Sequence, residues 1–187
     1  MGSFFMKIIK RDRVLQKTSS NCLFLYSDAS YSHQSLFGIA GYLLFKNVED
    51  HVENRISSAI LKSSKIKETN NIRLELKAAI MALDAAWVES DTSTVVELFT
   101  DCQTISNLIS RRAKLEASDF LSKKQGKTLH NADLYKHFFS IYDKLLPKIT
   151  WVKGHSRKKE QNFIHRNFSM LDRFVRRELR EDKKLNG

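Results

Sequence analysis

Two short apolar runs, each ending in an aspartate, constrain the fold of this chain more than any other feature. Residues 95–100 are mostly apolar and lead directly into Asp101, and residues 23–27 lead in the same way into Asp28. Short apolar runs bounded by polar residues are typical of buried strands. Two strands that each end in an acid predict a shared site at one edge of a sheet.

The remaining strands follow from further apolar segments. Residues 37–45 predict a second strand, whose glycines indicate close approach of neighbouring backbone. Residues 46–50 predict a turn, and residues 56–61 part of a third strand. Three successive strands favour an antiparallel meander. Residues 149–153 predict the last strand.

Helices are predicted where the apolar spacing changes. Residues 72–87 repeat apolar side chains at helical intervals, and residues 102–109, 131–145 and 168–180 do so as well. Residues 111–127 are basic with few apolar positions, which predicts a loop or protruding turn. The order of elements favours an α/β fold, with a mixed sheet whose later strands are parallel and whose faces carry helices.

Composition limits the number of domains and the kind of partner. A chain of 187 residues with 42% hydrophobic residues is long enough for one buried core. We therefore expect a single domain at residues 21–187, preceded by a basic tail or short extra element at residues 1–20. The net charge of +11 favours an anionic partner, either nucleic acid or an acidic membrane surface.

The positions of the cysteines and the lengths of the apolar runs bear on where in the cell the protein is expected. Cys22 and Cys102 are predicted at opposite ends of neighbouring strands, roughly 20 Å apart at about 3.3 Å per residue, which predicts free thiols. No apolar run approaches the ~20 residues of a membrane span, and residues 1–9 lack a signal-peptide core. We expect a cytoplasmic monomer in a reducing environment, with no membrane partner.

Four segments, read together, resemble type 1 ribonuclease H, the enzyme that cuts the RNA strand of RNA–DNA hybrids. They are Thr-Asn-Asn at 69–71, Arg-Leu-Glu-Leu-Lys-Ala-Ala-Ile at 73–80, Thr-Asp at 100–101, and Trp-Val-Lys-Gly-His at 151–155. Their order and spacing extend over most of the chain. The resemblance implies a five-stranded mixed sheet in which the strands that carry Asp28 and Asp101 are neighbours.

The resemblance also implies a metal site. Asp28 and Asp101 are the expected central ligands, with Glu75 from the first helix and Asp172 from the start of the closing helix beside them. Two Mg²⁺ ions, with Mn²⁺ as a substitute, suit this chemistry because hard cations prefer carboxylate oxygens and two of them serve both sides of a phosphodiester. Hydrolysis would leave 5′-phosphate and 3′-hydroxyl ends.

Other residues compete for two of these roles. His155 resembles the family's mobile histidine, which assists proton transfer or product departure, and His165 is an alternative. Glu178 and Asp182 are alternatives to Asp172 as the fourth acid.

Substrate contacts are also implied by the resemblance. The wide minor groove of an A-like hybrid displays 2′-hydroxyls to polar side chains. Asn70, Asn71 and Gln103 are the expected readers of the RNA strand, although the asparagines also suit helix capping. Thr69 resembles a phosphate contact on the DNA strand. A basic protrusion is expected to grip the duplex backbone; it contains Lys123, Lys124 and Lys127.

The sequence departs from the family pattern at several positions. Residues 29–34 replace a turn that often carries glycine and asparagine, Ile72 is an extra residue before Glu75, and Cys102 stands where serine is usual. Alternative functions are a non-catalytic module of the same fold that binds hybrid or double-stranded RNA, and the ribonuclease H domain of a retroelement. Retention of four acids favours the enzyme.

Overall fold

A single mixed sheet lies at the centre of the molecule. The computed structural model describes residues 21–34, 36–68, 70–122, 124, 126–153 and 162–186, with the side chains of 185 and 186 left out. The strands are β1 (Cys22–Ser32), β2 (Phe37–Phe45), β3 (Ile60–Lys67), β4 (Val95–Thr100) and β5 (Lys148–Trp151). Their spatial order is β3-β2-β1-β4-β5. The first three pair antiparallel, and β4 pairs parallel with β1 and with β5, which confirms the predicted fold class.

In the described part of the chain, six α-helices surround this sheet. They are α1 (Val48–Glu53), α2 (Asn71–Glu89), α3 (Gln103–Ser106), α4 (Leu108–Ala117), α5 (Ala132–Leu145) and α6 (Phe163–Asn186). Successive side chains of a strand point to opposite faces. Leu25 of β1 therefore packs in the core formed with α2 and α5, whereas Tyr26 packs in the core formed with α6. Both faces of β1 are buried, as the near-continuous apolar run predicts.

The glycines of β2 allow close packing, as expected. A Cβ atom on Gly41 would lie 2.4 Å from Cγ1 of Val175 in α6, and one on Gly38 would lie 2.6 Å from the carbonyl oxygen of Ser30. Both distances are shorter than real Cβ contacts. The absence of side chains at these positions therefore lets α6 and β1 approach β2.

Two predicted segments between β2 and α2 are wrong in detail. Residues 46–50 are not a simple turn, because the side chain of Asn47 accepts a hydrogen bond from the backbone N–H of Asp50 and starts α1. The third strand begins at Ile60, after a short 3₁₀ turn, and continues to Lys67. Its exposed lysines and serines hide the strand pattern, but they suit an edge strand because charge discourages further pairing.

Two helices are longer than the apolar pattern predicts. The segment predicted as a loop at residues 111–127 contains most of α4, which buries Leu108 and Leu115, two turns apart. The closing helix begins at Phe163 rather than at residue 168, because Asn162 caps it through a 3.1 Å hydrogen bond from the backbone N–H of His165.

The cysteines are free, as predicted: Cys22 begins β1 and Cys102 follows β4. Among the residues described here, no helix is both long enough and apolar enough to span a membrane. The predicted tail at residues 1–20 lies outside the described residues.

Candidate active site

Asp28 and Asp101 lie together at one edge of the sheet. The parallel pairing of β1 with β4 ends at Tyr26 and Phe99, so each aspartate is two residues beyond the last pair. The two acids are therefore neighbours, as the sequence predicts. The first strand does not stop at Asp28, however, because β1 continues to Ser32 through its pairing with β2.

Glu75 completes a group of three acids. It lies in the second turn of α2 and is only 7% exposed, and Asp28 is 5% exposed. One carboxylate oxygen from each of Asp28, Glu75 and Asp101 lies within 4.8 Å of the others. The sequence places these residues far apart, and the packing of α2 against β1 brings them together.

Burial and mutual repulsion make this cluster electrostatically unfavourable. Burial, followed by the charges of Asp101 and Asp172, raises the pKa of Asp28 to about 8. Burial, followed by the charge of Asp28, raises the pKa of Glu75 well above its usual value. A buried, ionised carboxylate without a nearby positive charge or hydrogen-bond donor destabilises the fold. A cation bound between them would relieve both effects.

The oxygen atoms of the cluster fit a hard divalent cation. Oδ2 of Asp28 and Oε2 of Glu75 are buried, and neither has a hydrogen-bond partner. Buried polar atoms are normally satisfied. Carboxylate oxygens are the ligands that Mg²⁺ and Mn²⁺ accept. The two unsatisfied oxygens are therefore placed where they could bind a divalent cation.

Neighbouring groups hold the three acids in place. The backbone N–H of Ala29 donates to Oδ1 of Asp28 at 2.9 Å. The side chain of Asn71 hydrogen-bonds Glu75 and lowers its pKa, against the larger effect of burial. Nε1 of Trp151 donates to the carbonyl oxygen of Asp101 at 3.0 Å. Trp151 belongs to the segment that suggested the family, but its contact with Asp101 was not anticipated from the sequence.

Asp172 lies beside the group of three but is not one of its members. It sits about two and a half turns inside α6, not at the helix start, because that helix begins earlier than predicted. Its charge raises the pKa values of Asp28 and Glu75, so it reaches the same edge. Its Oδ1 accepts a 2.6 Å hydrogen bond from Nε of Arg176. An acid four residues before an arginine in a helix is the sequence signal for this pair.

The alternatives to Asp172 have other contacts. Oδ1 of Asp182 lies 2.7 Å from Nζ of Lys65 on β3, and Glu178 lies 3.7 Å from Arg177. Neither is a member of the group of three acids. His165, the alternative to His155, places Nδ1 2.8 Å from Oδ1 of Asn162 at the start of α6.

The predicted substrate contacts divide into described and undescribed residues. Oδ1 of Asn70 accepts a 2.8 Å hydrogen bond from the backbone N–H of Ile72 and caps α2, so the capping role is real. Gln103 is exposed at the start of α3, and Lys124 and Lys127 are exposed beyond α4. Three predicted residues lie outside the described part of the chain: Thr69, Lys123 and His155.

A partly buried ionic network supports the segment before α2. The guanidinium of Arg73 binds both carboxylate oxygens of Asp133 at 2.8 and 2.9 Å, and Oε2 of Glu68 at 3.0 Å. Glu68 also accepts from Lys77 at 2.8 Å. Bidentate pairs of this kind fix geometry as well as charge. The network ties the predicted substrate-binding segment to α5, and no local sequence signal links partners 60 residues apart.

Comparison with known proteins agrees with this geometry. The RNase H family model matches residues 20–179. The chain belongs to the ribonuclease H family. The ribonuclease H of Orientia tsutsugamushi (strain Boryong) is 32% identical over 133 residues, which cover 71% of each chain. That of Francisella philomiragia subsp. philomiragia is 30% identical over 140 residues, which cover 74% of this chain and 83% of the relative.

A solved structure supports the fold of this ribonuclease H. The crystal structure of LC9-RNase H1, a type 1 RNase H with the type 2 active-site motif, superposes with a TM-score of 0.61. The two chains are 17% identical, and the match covers 85% of this chain and 72% of the other. The predicted family, the class of hydrolase and the mixed sheet are therefore confirmed.

Proposed function

We propose that this ribonuclease H is a metal-dependent endonuclease that hydrolyses the RNA strand of RNA–DNA hybrids and leaves 5′-phosphate and 3′-hydroxyl ends. The observation that carries this proposal is the close approach of Asp28, Glu75 and Asp101, with two buried oxygens that lack partners. Such an arrangement is costly unless a cation binds there. Family membership supplies the reaction class.

Asp28 and Asp101 are the proposed central ligands, with Glu75 and Asp172 beside them. When bound, two Mg²⁺ ions would assist the attack of water and stabilise the leaving oxygen, and Mn²⁺ would serve as a substitute. The buried position of Asp28 and Glu75 excludes bulk water from one side of the site. Ala29, Asn71 and Trp151 orient the acids.

Recognition of the hybrid rests on polar and basic residues around this edge. Asn71, at the first position of α2, hydrogen-bonds Glu75. Asn71, Asn70 and Gln103 are the proposed contacts to the ribose hydroxyls of the RNA strand. Lys124 and Lys127, with Lys123 and Thr69, are the proposed backbone contacts. His155 is the proposed proton-transfer residue.

We further propose that residues 21–187 act as one domain, with residues 1–20 as a basic appendage, and that the enzyme is an intracellular, cytoplasmic monomer. The single sheet, covered on both faces by its own helices, supports a unit that folds alone. The free cysteines are compatible with a reducing compartment.

The test is cleavage of a labelled RNA–DNA hybrid, compared with matched RNA and DNA duplexes, with Mg²⁺, Mn²⁺ or a chelator. The wild type should cut only the hybrid, and only with metal. Asp28→Asn should lower the rate on the order of 100-fold or more, because cation stabilisation of the transition state is worth several kcal/mol. Asp119→Asn, at a side chain that is 85% exposed, is the matched control and should cut normally. Cleavage that persists in chelator or in Asp28→Asn would refute the proposal.

A further inference from the structure

A line of cations covers the outer side of α6. Its members are all exposed. They lie on the same side of the helix, because successive members are seven, four, three and four residues apart. We call this line the α6 basic face: Arg166, Arg173, Arg177, Arg180 and Lys184. Lys184 is eighteen positions after Arg166, so the face is about 27 Å long at a rise of about 1.5 Å per residue.

The α6 basic face points away from the protein. The opposite side of the helix is buried in the second core through Leu171, Val175 and Leu179. Long basic side chains on the outer side therefore keep their charged groups in water. The side chain of Arg177, in the middle of the line, is 57% exposed.

The acids of α6 neutralise this face only in part. Among the side chains of α6 that the structure describes, Asp172 binds Arg176 and Asp182 binds Lys65. Glu178 and Glu181 flank the line and lie 3.7 and 3.8 Å from Arg177. Exposed pairs of this length are weak. A phosphate can therefore replace them.

The row of cations on α6 destabilises the protein when no polyanion is bound. Cations three or four residues apart in a helix repel each other. The favourable interaction with the helix dipole is limited to the last turn, so it does not explain Arg173 or Arg177. Binding of a polyanion along the line would remove this repulsion.

The face also passes close to the candidate active site. Arg173 follows Asp172 directly, and Arg176 lies near enough to Asp28 to lower its pKa. From there α6 crosses the sheet to the edge strand, where Asp182 meets Lys65. One strand of a duplex carries a phosphate about every 3.4 Å along its axis, so the length of the face corresponds to about eight phosphate intervals.

We propose that the α6 basic face is a second nucleic-acid contact surface, which binds the phosphate backbone of the substrate outside the segment that is cut. Contacts of this kind position a duplex without reading its sequence. The inference rests on the proposed function for the identity of the polyanion. It adds a surface on α6 to the contacts expected of the predicted basic protrusion.

The test compares two variants of equal charge in the Asp28→Asn background, which prevents cleavage during binding measurements. One variant neutralises the middle of the face: R173Q, R177Q and R180Q. The other neutralises three exposed lysines elsewhere on the molecule: K46Q, K144Q and K148Q. The replaced side chains are all exposed, and the ion pairs that Lys46 and Lys148 make with Glu89 and Glu97 are surface pairs of little net strength. Both variants should therefore stay close to the wild-type melting temperature.

Affinity is measured against salt for hybrids of about 12 and about 36 base pairs, which span roughly 40 and 120 Å. The face variant should flatten the slope of log affinity against log salt by about 2 to 3 for the long hybrid, because each lost phosphate contact contributes about 0.9. The lysine control should keep the slope. Replacement by lysine at the same three positions should restore it, because backbone contact needs only charge.

Equal slopes for the face variant and the lysine control on the long hybrid would overturn the inference. So would a face variant that binds the long hybrid normally but no longer binds vesicles that contain phosphatidylserine, since the face would then serve a membrane surface. The proposed function is tested separately, by cleavage of the short hybrid by the wild type with and without metal, which does not depend on binding along the α6 basic face.

Discussion

Arg176 holds Asp172 through a 2.6 Å hydrogen bond from Nε to Oδ1, so the fourth acid of the candidate site is paired with a cation of its own helix. The positive charge of Arg176 also lowers the pKa of Asp28, although burial and the other acids raise it by more. The guanidinium therefore acts as a partial counter-ion for the cluster. A divalent cation that recruits Asp172 must compete with it.

Arg176→Gln should tighten binding of divalent cations by about two- to fivefold. The pair is half-exposed, so its loss is worth ~0–1 kcal/mol, and about 1 kcal/mol corresponds to a factor of roughly five in affinity. Calorimetric titration with Mn²⁺ measures the change. Arg177→Gln, at the next residue, is the matched control and should change affinity less. Weaker binding in Arg176→Gln would show that the arginine supports the metal site instead.

Without metal, the protein should become less stable as pH rises from 6.5 to 8. The folded protein keeps the Asp28 proton up to a pKa of about 8, whereas the unfolded chain loses it near 3.8. The folded state therefore binds more protons in this range, and the free energy of unfolding falls as pH rises. The slope from this one group is at most about 1.4 kcal/mol per pH unit.

Melting temperatures in chelator, for wild type and Asp28→Asn, measure this slope. The asparagine variant should show a flatter profile and a higher melting temperature at pH 8. The range above pH 6.5 avoids the opposite contribution of His51, whose pKa is lowered by burial to about 4. Parallel profiles for the two proteins would contradict the prediction.

The parts of the site that the sequence predicts are those with local signals. Asp28 and Asp101 each follow an apolar strand, and parallel neighbours bring their carboxyl ends to one edge. Glu75 was placed by the resemblance, because a carboxylate in the early turns of a helix also suits the helix dipole. The Glu75 residue is only 7% exposed, because α2 packs against the sheet at this point. The helical spacing of apolar residues does not predict this burial.

The parts that the sequence does not predict depend on distant partners or weak patterns. Arg73 contacts Asp133 only after α5 packs on α2. The lysines and serines of β3 give no clear apolar alternation, although they suit its place at the edge of the sheet. The start of α6 depends on the cap at Asn162, which an apolar pattern does not reveal. Asp172 was predicted by position, but its pairing with Arg176 was not.

The two asparagines before Glu75 should have separable effects. Asn70→Ala removes the cap of α2 and should cost about 1 kcal/mol of stability, with little change in cation affinity. Asn71→Ala removes the hydrogen bond that lowers the pKa of Glu75 and should weaken Mn²⁺ binding at neutral pH. Urea unfolding and calorimetric titration of both variants provide the measurements, and each variant controls for the other. If Asn70→Ala and Asn71→Ala changed stability equally and changed Mn²⁺ affinity equally, the two asparagines would not have separate roles.

A buried polar network secures the start of α6 on the second core. The hydroxyl of Tyr26 lies 2.6 Å from Nε2 of His51, and Nδ2 of Asn167 donates to that hydroxyl at 3.2 Å and to the carbonyl oxygen of His51 at 2.9 Å. The His51 ring also stacks on Phe24 at 4.0 Å. Because burial lowers the pKa of His51 to about 4, the ring is neutral at pH 7, and its Nε2 shares a hydrogen bond with the tyrosine hydroxyl. The network links α1 and β1 to α6, five residues before Asp172.

Tyr26→Phe should therefore lower the free energy of unfolding by about 1–3 kcal/mol, because it leaves a buried imidazole nitrogen and a buried amide without their shared partner. Urea unfolding at pH 7 measures the loss. Tyr42→Phe is the matched control, since Tyr42 is buried on the neighbouring strand β2 but does not belong to this network. It should cost less than Tyr26→Phe. Equal losses in the two variants would mean that the hydroxyl of Tyr26 contributes no more than an ordinary buried tyrosine, and that packing alone secures α6.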